Sequence, residues 1–233
     1  MARRLTNFED RPHIDQSYDD KLRTPWHLIV EMGGLVEKQV ASAIGALERG
    51  NLELAQQTIA RDHSVNRFDV EVDEVCIRLL ALRHPTAGDL RLITTSIKIT
   101  TDLERVGDLA VGICERVLEM SEEPKLEFLV DLAPTASVAE RMLRESLDAF
   151  VRGDVELARK VCADDDEIDA LNKTLFNESL TYMVEHPRAA TRILRLLFVS
   201  KCLERIADHA TNIAEMVVFM VKGSTIRHLA ACP

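Results

Sequence analysis

Two copies of one helical pattern, set 100 residues apart, constrain this chain more than any other feature of its sequence. Residues 103–115 read LERVGDLAVGICE and residues 203–215 read LERIADHATNIAE, with seven of thirteen positions identical. Each copy carries a carboxylate pair, Glu104 with Asp108 and Glu204 with Asp208. Residues four apart lie on one face of a helix. The repeat therefore predicts a duplicated fold whose halves each present two acidic side chains on one helix.

Other landmarks extend the duplication to most of the chain. The run GNLELA at Gly50 matches GDVELA at Gly153, and the pair His84-Pro85 matches His186-Pro187. Apolar residues recur with the period of a helix, and no segment alternates convincingly as a strand does. We therefore predict an all-α fold of two tandem three-helix bundles, related by pseudo-twofold symmetry.

Glycine, proline and capping residues predict where the bundles and helices begin and end. We expect an N-terminal tail over residues 1–18, a first bundle over 19–121, a second bundle over 126–222 and a C-terminal tail over 223–233. The helices are predicted at about 19–49, 52–83, 86–120, 128–151, 154–185 and 188–222.

Composition excludes several classes of function. The net charge of −10 repels nucleic acid and anionic membranes, so neither is an expected direct partner. No segment is long and apolar enough to span a bilayer, and the N-terminus lacks the apolar core of a signal peptide. Five scattered cysteines without a CxxC pair are expected to be reduced and mostly buried. These features predict a cytoplasmic protein that meets the membrane only through partners.

A second carboxylate pair, Asp69 and Asp73, lies on the helix that precedes Glu104 and Asp108. Because the chain reverses at His84-Pro85, these two helices should pack antiparallel, and clustered oxygen ligands suit divalent or trivalent cations. In the second half Asn172 and Phe176 replace that pair, and a nearby acidic run can substitute for it. The candidate metal ligands are Asp69, Asp73, Glu104, Asp108, Glu204, Asp208, Asn212 and Asp169.

Two other readings of the carboxylates stay open. Paired acidic residues on a helix often form a solvated face, here with Arg105 and Arg205 beside them, and the chain would then be a helical scaffold. Clustered carboxylates can also hold two metals for phosphate-ester hydrolysis. The sequence offers no general base and no nucleophile motif for that chemistry, so we predict no catalytic residues and no enzyme.

The runs LERVGDLA and FVSKCLERIADHATNI resemble the two signature runs of the PhoU family of bacterial phosphate-transport accessory and regulatory proteins. The resemblance covers about residues 20–222, in two copies. It implies two three-helix bundles with carboxylate motifs that bind iron, zinc, nickel, magnesium or manganese, and it favours a homodimer. It also implies a negative regulator of the phosphate-starvation response, coupling the ATPase subunit of the phosphate ABC transporter to a PAS-containing sensor histidine kinase.

Overall fold

Helices and short turns make up the computed structural model over the residues that it describes, which are 16–82, 85–123 and 131–224. The prediction of an all-α fold is confirmed, and this part of the chain contains no strand. The helices are α1 (Gln16–Arg49), α2 (Leu52–Arg61), α3 (His63–Leu82), α4 (Ala87–Met120), α5 (Ala133–Arg152), α6 (Val155–Glu185) and α7 (Ala190–Lys222), with a 3-10 turn at Pro187–Ala189.

Local sequence signals set most helix ends. The side chains of Asn51 and Asp154 accept hydrogen bonds from backbone amides in the first turns of α2 and α6. Thr86 and Asp89 form a reciprocal capping box at the start of α4. Gly153 ends α5 with φ of 62°, a left-handed conformation that glycine adopts without strain. Most of the two predicted tails, and His84, lie outside the described residues.

One predicted helix, residues 52–83, is in fact two helices. The chain breaks between α2 and α3 at Asp62, whose amide bonds the Ile59 carbonyl three residues back. The Asp62 carboxylate accepts hydrogen bonds from Gln39 on α1 and from Asn66 one turn ahead. These side-chain bonds accompany the tightened turn at Asp62. The spacing of apolar residues in the sequence does not indicate a break there.

Two three-helix bundles share one hydrophobic core. Helices α1, α2–α3 and α4 pack together, as do α5, α6 and α7, and the bundles meet where α4 packs on α7 and α1 on α5. Helices α4 and α7 run antiparallel. Arg116 of α4 lies over the Phe198 ring of α7 at one end of their contact, and Asp102 of α4 bonds His209 of α7 at the other. The boundary predicted between residues 121 and 126 stays a prediction.

Helices α1 and α5 approach closely at Gly33. A Cβ added to Gly33 would lie 2.9 Å from Cδ2 of Leu147, so a side chain there would displace Leu147. A Cβ on the neighbouring Gly34 would meet nothing within 4 Å. The contact between the bundles on this side therefore depends on one glycine.

Burial explains the state of the cysteines in the described residues. Cys76, Cys114 and Cys202 are buried free thiols, and Cys162 is half-buried. Burial raises the pKa of the Cys76 thiol to about 12 and the pKa of Cys202 to about 11, which keeps both protonated. Across the same residues, no helix has the length and apolarity needed to cross a membrane.

Candidate metal sites

The first group of carboxylates lies between α3 and α4. Burial raises the pKa of Asp69, and the neighbouring charge of Asp73 raises it further. Burial likewise raises the pKa of Glu104, with additional contributions from Asp108 and Asp69. The charge of Asp69 thus acts on Glu104 across the two helices, whereas Asp73 and Asp108 act on neighbours within their own helices. The structure places Asp69 of α3 near Glu104 of α4.

Arg105 is the cation nearest to this group on α4. Its guanidinium lies 3.4 Å from Glu104 and 3.5 Å from Asp108, and its side chain is 56% exposed. An exposed pair at this separation is weak, since water screens it and the long side chain loses entropy. The pKa of Glu104 is raised even with Arg105 beside it. The arginine therefore leaves much of the negative charge uncompensated.

Asp62 is an acidic residue near this group that the sequence analysis did not select. Its carboxylate accepts 2.9 Å from Nε2 of Gln39 and 3.0 Å from Nδ2 of Asn66. Gln39 also reaches the Gly107 carbonyl of α4 at 3.4 Å. Two neutral amides thus satisfy Asp62. A signal was available in the sequence, because Asp62 precedes Asp165 by the same 103 residues as Gly50 precedes Gly153.

In the second bundle an amide stands where the first has a carboxylate. Ser200 of α7 donates its hydroxyl to Oδ1 of Asn172 on α6, and Nδ2 of Asn172 donates to Glu204 at 3.1 Å. Lys201 also contacts Glu204. Glu204 therefore has two donors of its own.

The unbalanced negative charge of the second bundle lies further along the α6–α7 pair. Burial raises the pKa of Asp208, and Glu204 and Asp169 raise it further. Burial also raises the pKa of Asp165, with Asp208 and Asp169 as the next causes. The Thr211 hydroxyl donates to Asp165 at the long distance of 3.4 Å. Asp165 belongs to the acidic run at residues 164–167 that the sequence offered as a substitute for the missing pair, although it is not among the predicted ligands.

Asn212, a predicted ligand, lies at the contact between the bundles. Its Nδ2 donates to Oδ1 of Asp102 on α4 at 3.3 Å. The same oxygen is 2.8 Å from Nδ1 of His209, and the Asp102 and His209 side chains are each 17% exposed. The structure thus gives Asn212 a bond between the bundles.

The carboxylate groups fit a hard cation by the chemistry of their donors. Asp69, Asp73, Glu104 and Asp108 supply carboxylate oxygens, the ligands that hard cations prefer, and burial together with neighbouring carboxylates raises the pKa of Asp69 and of Glu104. Within the described ranges no three acidic, histidine or cysteine side chains converge on one point. Binding would therefore require rotation of these side chains. The part of the α6–α7 contact around Asn172 and Glu204 suits a cation poorly, because the Asn172 amide and the Lys201 ammonium already donate to Glu204.

Comparison with known proteins places this two-bundle, all-helical architecture in a family. The PhoU domain model matches residues 29–117 and again 134–217. A Pseudomonas aeruginosa phosphate-specific transport system accessory protein PhoU homolog is 41% identical over 218 residues, 93% of this chain and 90% of that protein.

Two crystal structures match the whole fold. PhoU from Pseudomonas aeruginosa superposes with a TM-score of 0.86 at 41% identity, covering 89% of this chain and 100% of that one. The phosphate transport system regulatory protein PhoU from Streptococcus pneumoniae gives 0.81 at 28% identity, covering 90% and 99%. The chain belongs to the PhoU family, with one PhoU domain in each bundle.

Proposed function

We propose that this chain is a cytoplasmic, non-enzymatic negative regulator of the phosphate-starvation response. It acts as an adaptor between the ATPase subunit of the phosphate ABC transporter and a PAS-containing sensor histidine kinase. The observation that carries the proposal is the match of both bundles to proteins named as accessory and regulatory components of phosphate transport.

The surface of the second bundle supports an adaptor role. Phe176 and Leu180 lie one turn apart on α6, Leu194 and Phe198 lie one turn apart on α7, and all four are about half exposed. The Asn172–Ser200 bond sets the register of the two helices, so these residues lie at the same end of the pair. Phe198 also contacts Arg116 of α4, and large apolar side chains exposed at one end of a helix pair favour protein binding there.

Three of these four positions are polar in the first bundle, which exposes Ile77, Leu80 and Leu90 at the same end. By the repeat, Phe176, Leu194 and Phe198 match Asp73, Thr94 and Lys98. Only Leu180 keeps an apolar counterpart, Ile77. This comparison of matched positions in the two bundles favours the second bundle as the partner-binding half.

Charge bears on how phosphate is sensed. With a net charge of −10, an anion would need a bound cation as a bridge to the acidic groups. The phosphate signal therefore reaches this protein through its transporter partner or through a metal that it holds.

The first test is deletion of the coding sequence in the source bacterium. We expect phosphate-responsive alkaline phosphatase to be active at high phosphate, and complementation to restore repression. Unchanged phosphatase activity in the deletion strain would reject the regulatory role. Phosphate release from a model ester by the Mn²⁺-loaded protein, abolished in Glu104→Ala, would favour the metal-dependent phosphohydrolase instead.

The second test addresses the surface. Leu194→Asp should leave the helical content unchanged, because Leu194 is 58% exposed, and should reduce capture of the transporter ATPase or the kinase at least tenfold. Val70→Asp is the matched control, since Val70 is 57% exposed on α3 of the first bundle. Equal capture by Leu194→Asp and the unmodified protein would remove the second bundle as the docking half.

A further inference from the structure

Five large apolar side chains are exposed near the turn that joins α6 and α7, and each is between 47% and 75% exposed. They are Phe176, Leu180 and Val184 on α6 and Leu194 and Phe198 on α7. Phe176 and Val184 lie about 12 Å apart along α6, at a rise of 1.5 Å per residue. This apolar surface is therefore long enough to contact two to three turns of a partner helix.

The apolar side chains of the two helices lie on one side of the pair. Phe176 lies one turn after Asn172, whose amide donates to Glu204 of α7. Leu194 lies two turns before Lys201, which contacts the same Glu204. Residues one or two turns apart share a face of a helix. The exposed residues of α6 and α7 therefore form one apolar face beside the polar link at Asn172.

Two lysines border this apolar face. Lys173 directly follows Asn172 and Lys201 directly follows Ser200, and those two neighbours bond each other across the helices. The lysines therefore lie at the same distance along the pair. The Lys201 side chain is 61% exposed although it contacts Glu204, whose side chain is only 20% exposed. Positive charge is thus accessible beside the apolar face of a protein whose net charge is −10.

The cationic border is narrow. Arg205 extends it by one turn beyond Lys201, and within the part of the chain that the structure describes neither Lys173 nor Arg205 forms an ion pair. Asp169 and Asp208 follow one turn further along α6 and α7. Along the helix pair the order is therefore apolar face, cations and then carboxylates.

The first bundle lacks this border at the matched positions. Lys173, Phe176 and Lys201 match Val70, Asp73 and Thr101 by the repeat. The first bundle also exposes apolar residues at its end, but there Asp73 adds to the negative charge around Asp69 and raises the pKa of that carboxyl. The charge beside the exposed apolar residues is therefore negative in the first bundle and positive in the second.

We propose that the apolar face of the second bundle binds an amphipathic helix of a partner protein whose acidic residues are grouped at one end. Its apolar residues, spaced one turn apart, pack on Phe176, Leu180 and Leu194, and its acidic end lies over Lys173 and Lys201. The carboxylates of the first bundle repel such a helix, so that charge selects the second bundle and sets the direction of the bound helix. This inference rests on the proposed adaptor function and specifies the kind of segment that the docking half recognises.

Fluorescence anisotropy of labelled synthetic peptides, titrated with the full chain, tests the proposal. One peptide of about four helical turns carries leucine at the apolar positions and glutamate at one end, and a second carries lysine in place of glutamate. The glutamate peptide should bind at least tenfold more tightly than the lysine peptide, and added salt should weaken its binding.

Variants of the chain locate the binding. Phe176→Asp, which introduces the residue of the first bundle, should weaken binding of the glutamate peptide at least tenfold, and Lys173→Glu should weaken it about three- to tenfold. Ile77→Asp and Lys98→Glu make matched changes at exposed positions of the first bundle and should bind like the unmodified protein. Circular dichroism of each variant confirms that helical content is retained.

Three results would overturn the inference. Equal affinity for the glutamate and lysine peptides would remove the role of charge, and undiminished binding by Phe176→Asp would remove the apolar face. A dimer that Phe176→Asp converts to monomers in sedimentation would assign the face to a second copy of this chain. Failure of the glutamate peptide to bind would likewise reject the acidic helix, while repression of phosphatase in the deletion and complemented strains judges the regulatory role separately.

Discussion

At the residue scale, partial burial raises the pKa of several acidic side chains that lie between the helices. The pKa of Asp208 lies above its ordinary value because burial disfavours the charged form and because Glu204 and Asp169 add negative charge nearby. A carboxyl whose folded-state pKa is raised binds its proton more tightly in the folded protein than in the unfolded chain. Its contribution to stability is present below the unfolded value of 3.8 and is lost as the pH rises through the folded-state pKa.

Replacement of this carboxyl should therefore stabilise the metal-free protein at neutral pH. We expect Asp208→Asn in EDTA to raise the free energy of unfolding at pH 7 by about 0.5 kcal/mol, the scale of one like-charge pair on a helix. The gain should shrink towards pH 4, because the raised pKa of Asp208 favours its protonated form as the pH falls. Urea denaturation at both pH values checks this, with Glu71→Gln on the exposed face of α3 as control. A gain that stayed constant with pH would exclude the electrostatic cause.

At the element scale, close helix approach depends on which of two adjacent glycines faces α5. Gly33→Val should lower the free energy of unfolding by about 1–3 kcal/mol, since its side chain would overlap the buried Leu147. Gly34→Ala should raise it by about 0.5–1 kcal/mol, because alanine favours a helix and the space is open. Thermal and urea unfolding of the two variants provide the comparison. Stabilisation by Gly33→Val would contradict the close packing of α1 on α5.

At the scale of the whole molecule, the two bundles are joined by one core and by an uneven contact between α4 and α7. At one end Gly112 of α4 lies beside the Phe198 and Cys202 side chains of α7, and this end of the contact is apolar. At the other end Asn212, the match of Gly112 in the repeat, bonds Asp102 instead, together with His209. The pseudo-twofold relation of the backbone is therefore not kept by the side chains, and a polar cluster fixes one end of the contact.

Loss of this cluster should weaken the whole protein rather than one bundle. Asp102→Ala would leave His209 and Asn212 without their shared acceptor, at an expected cost of about 1–2 kcal/mol. Because the core is continuous, calorimetry should show one transition at a lower Tm. Asp102→Asn, which keeps an acceptor oxygen, should be affected less. Two separated transitions in the unmodified protein would show that the bundles unfold independently.

Local chemistry explains why the sequence predicted the helices well. Apolar period, glycine, proline and capping residues act over a few positions, so the start of α2 and both ends of α4 and α6 lie within a residue or two of their predicted places. The break at Asp62 was missed because its side chain bonds Gln39, 23 residues away on another helix. Partners at that separation along the chain leave no trace in a local pattern.

The sequence by itself determined the duplication, the helical class and the residue types that face each other between α3 and α4, since all three follow from periodicity and spacing. Only the tertiary structure decided which of those residues are satisfied. It placed amides against Asp62 and Glu204, gave Asn212 to the contact between bundles, and grouped Asp165 with Asp208. The reason is physical: the charge state and ligand capacity of a carboxylate depend on the donors around it, and those donors come from helices distant in the chain.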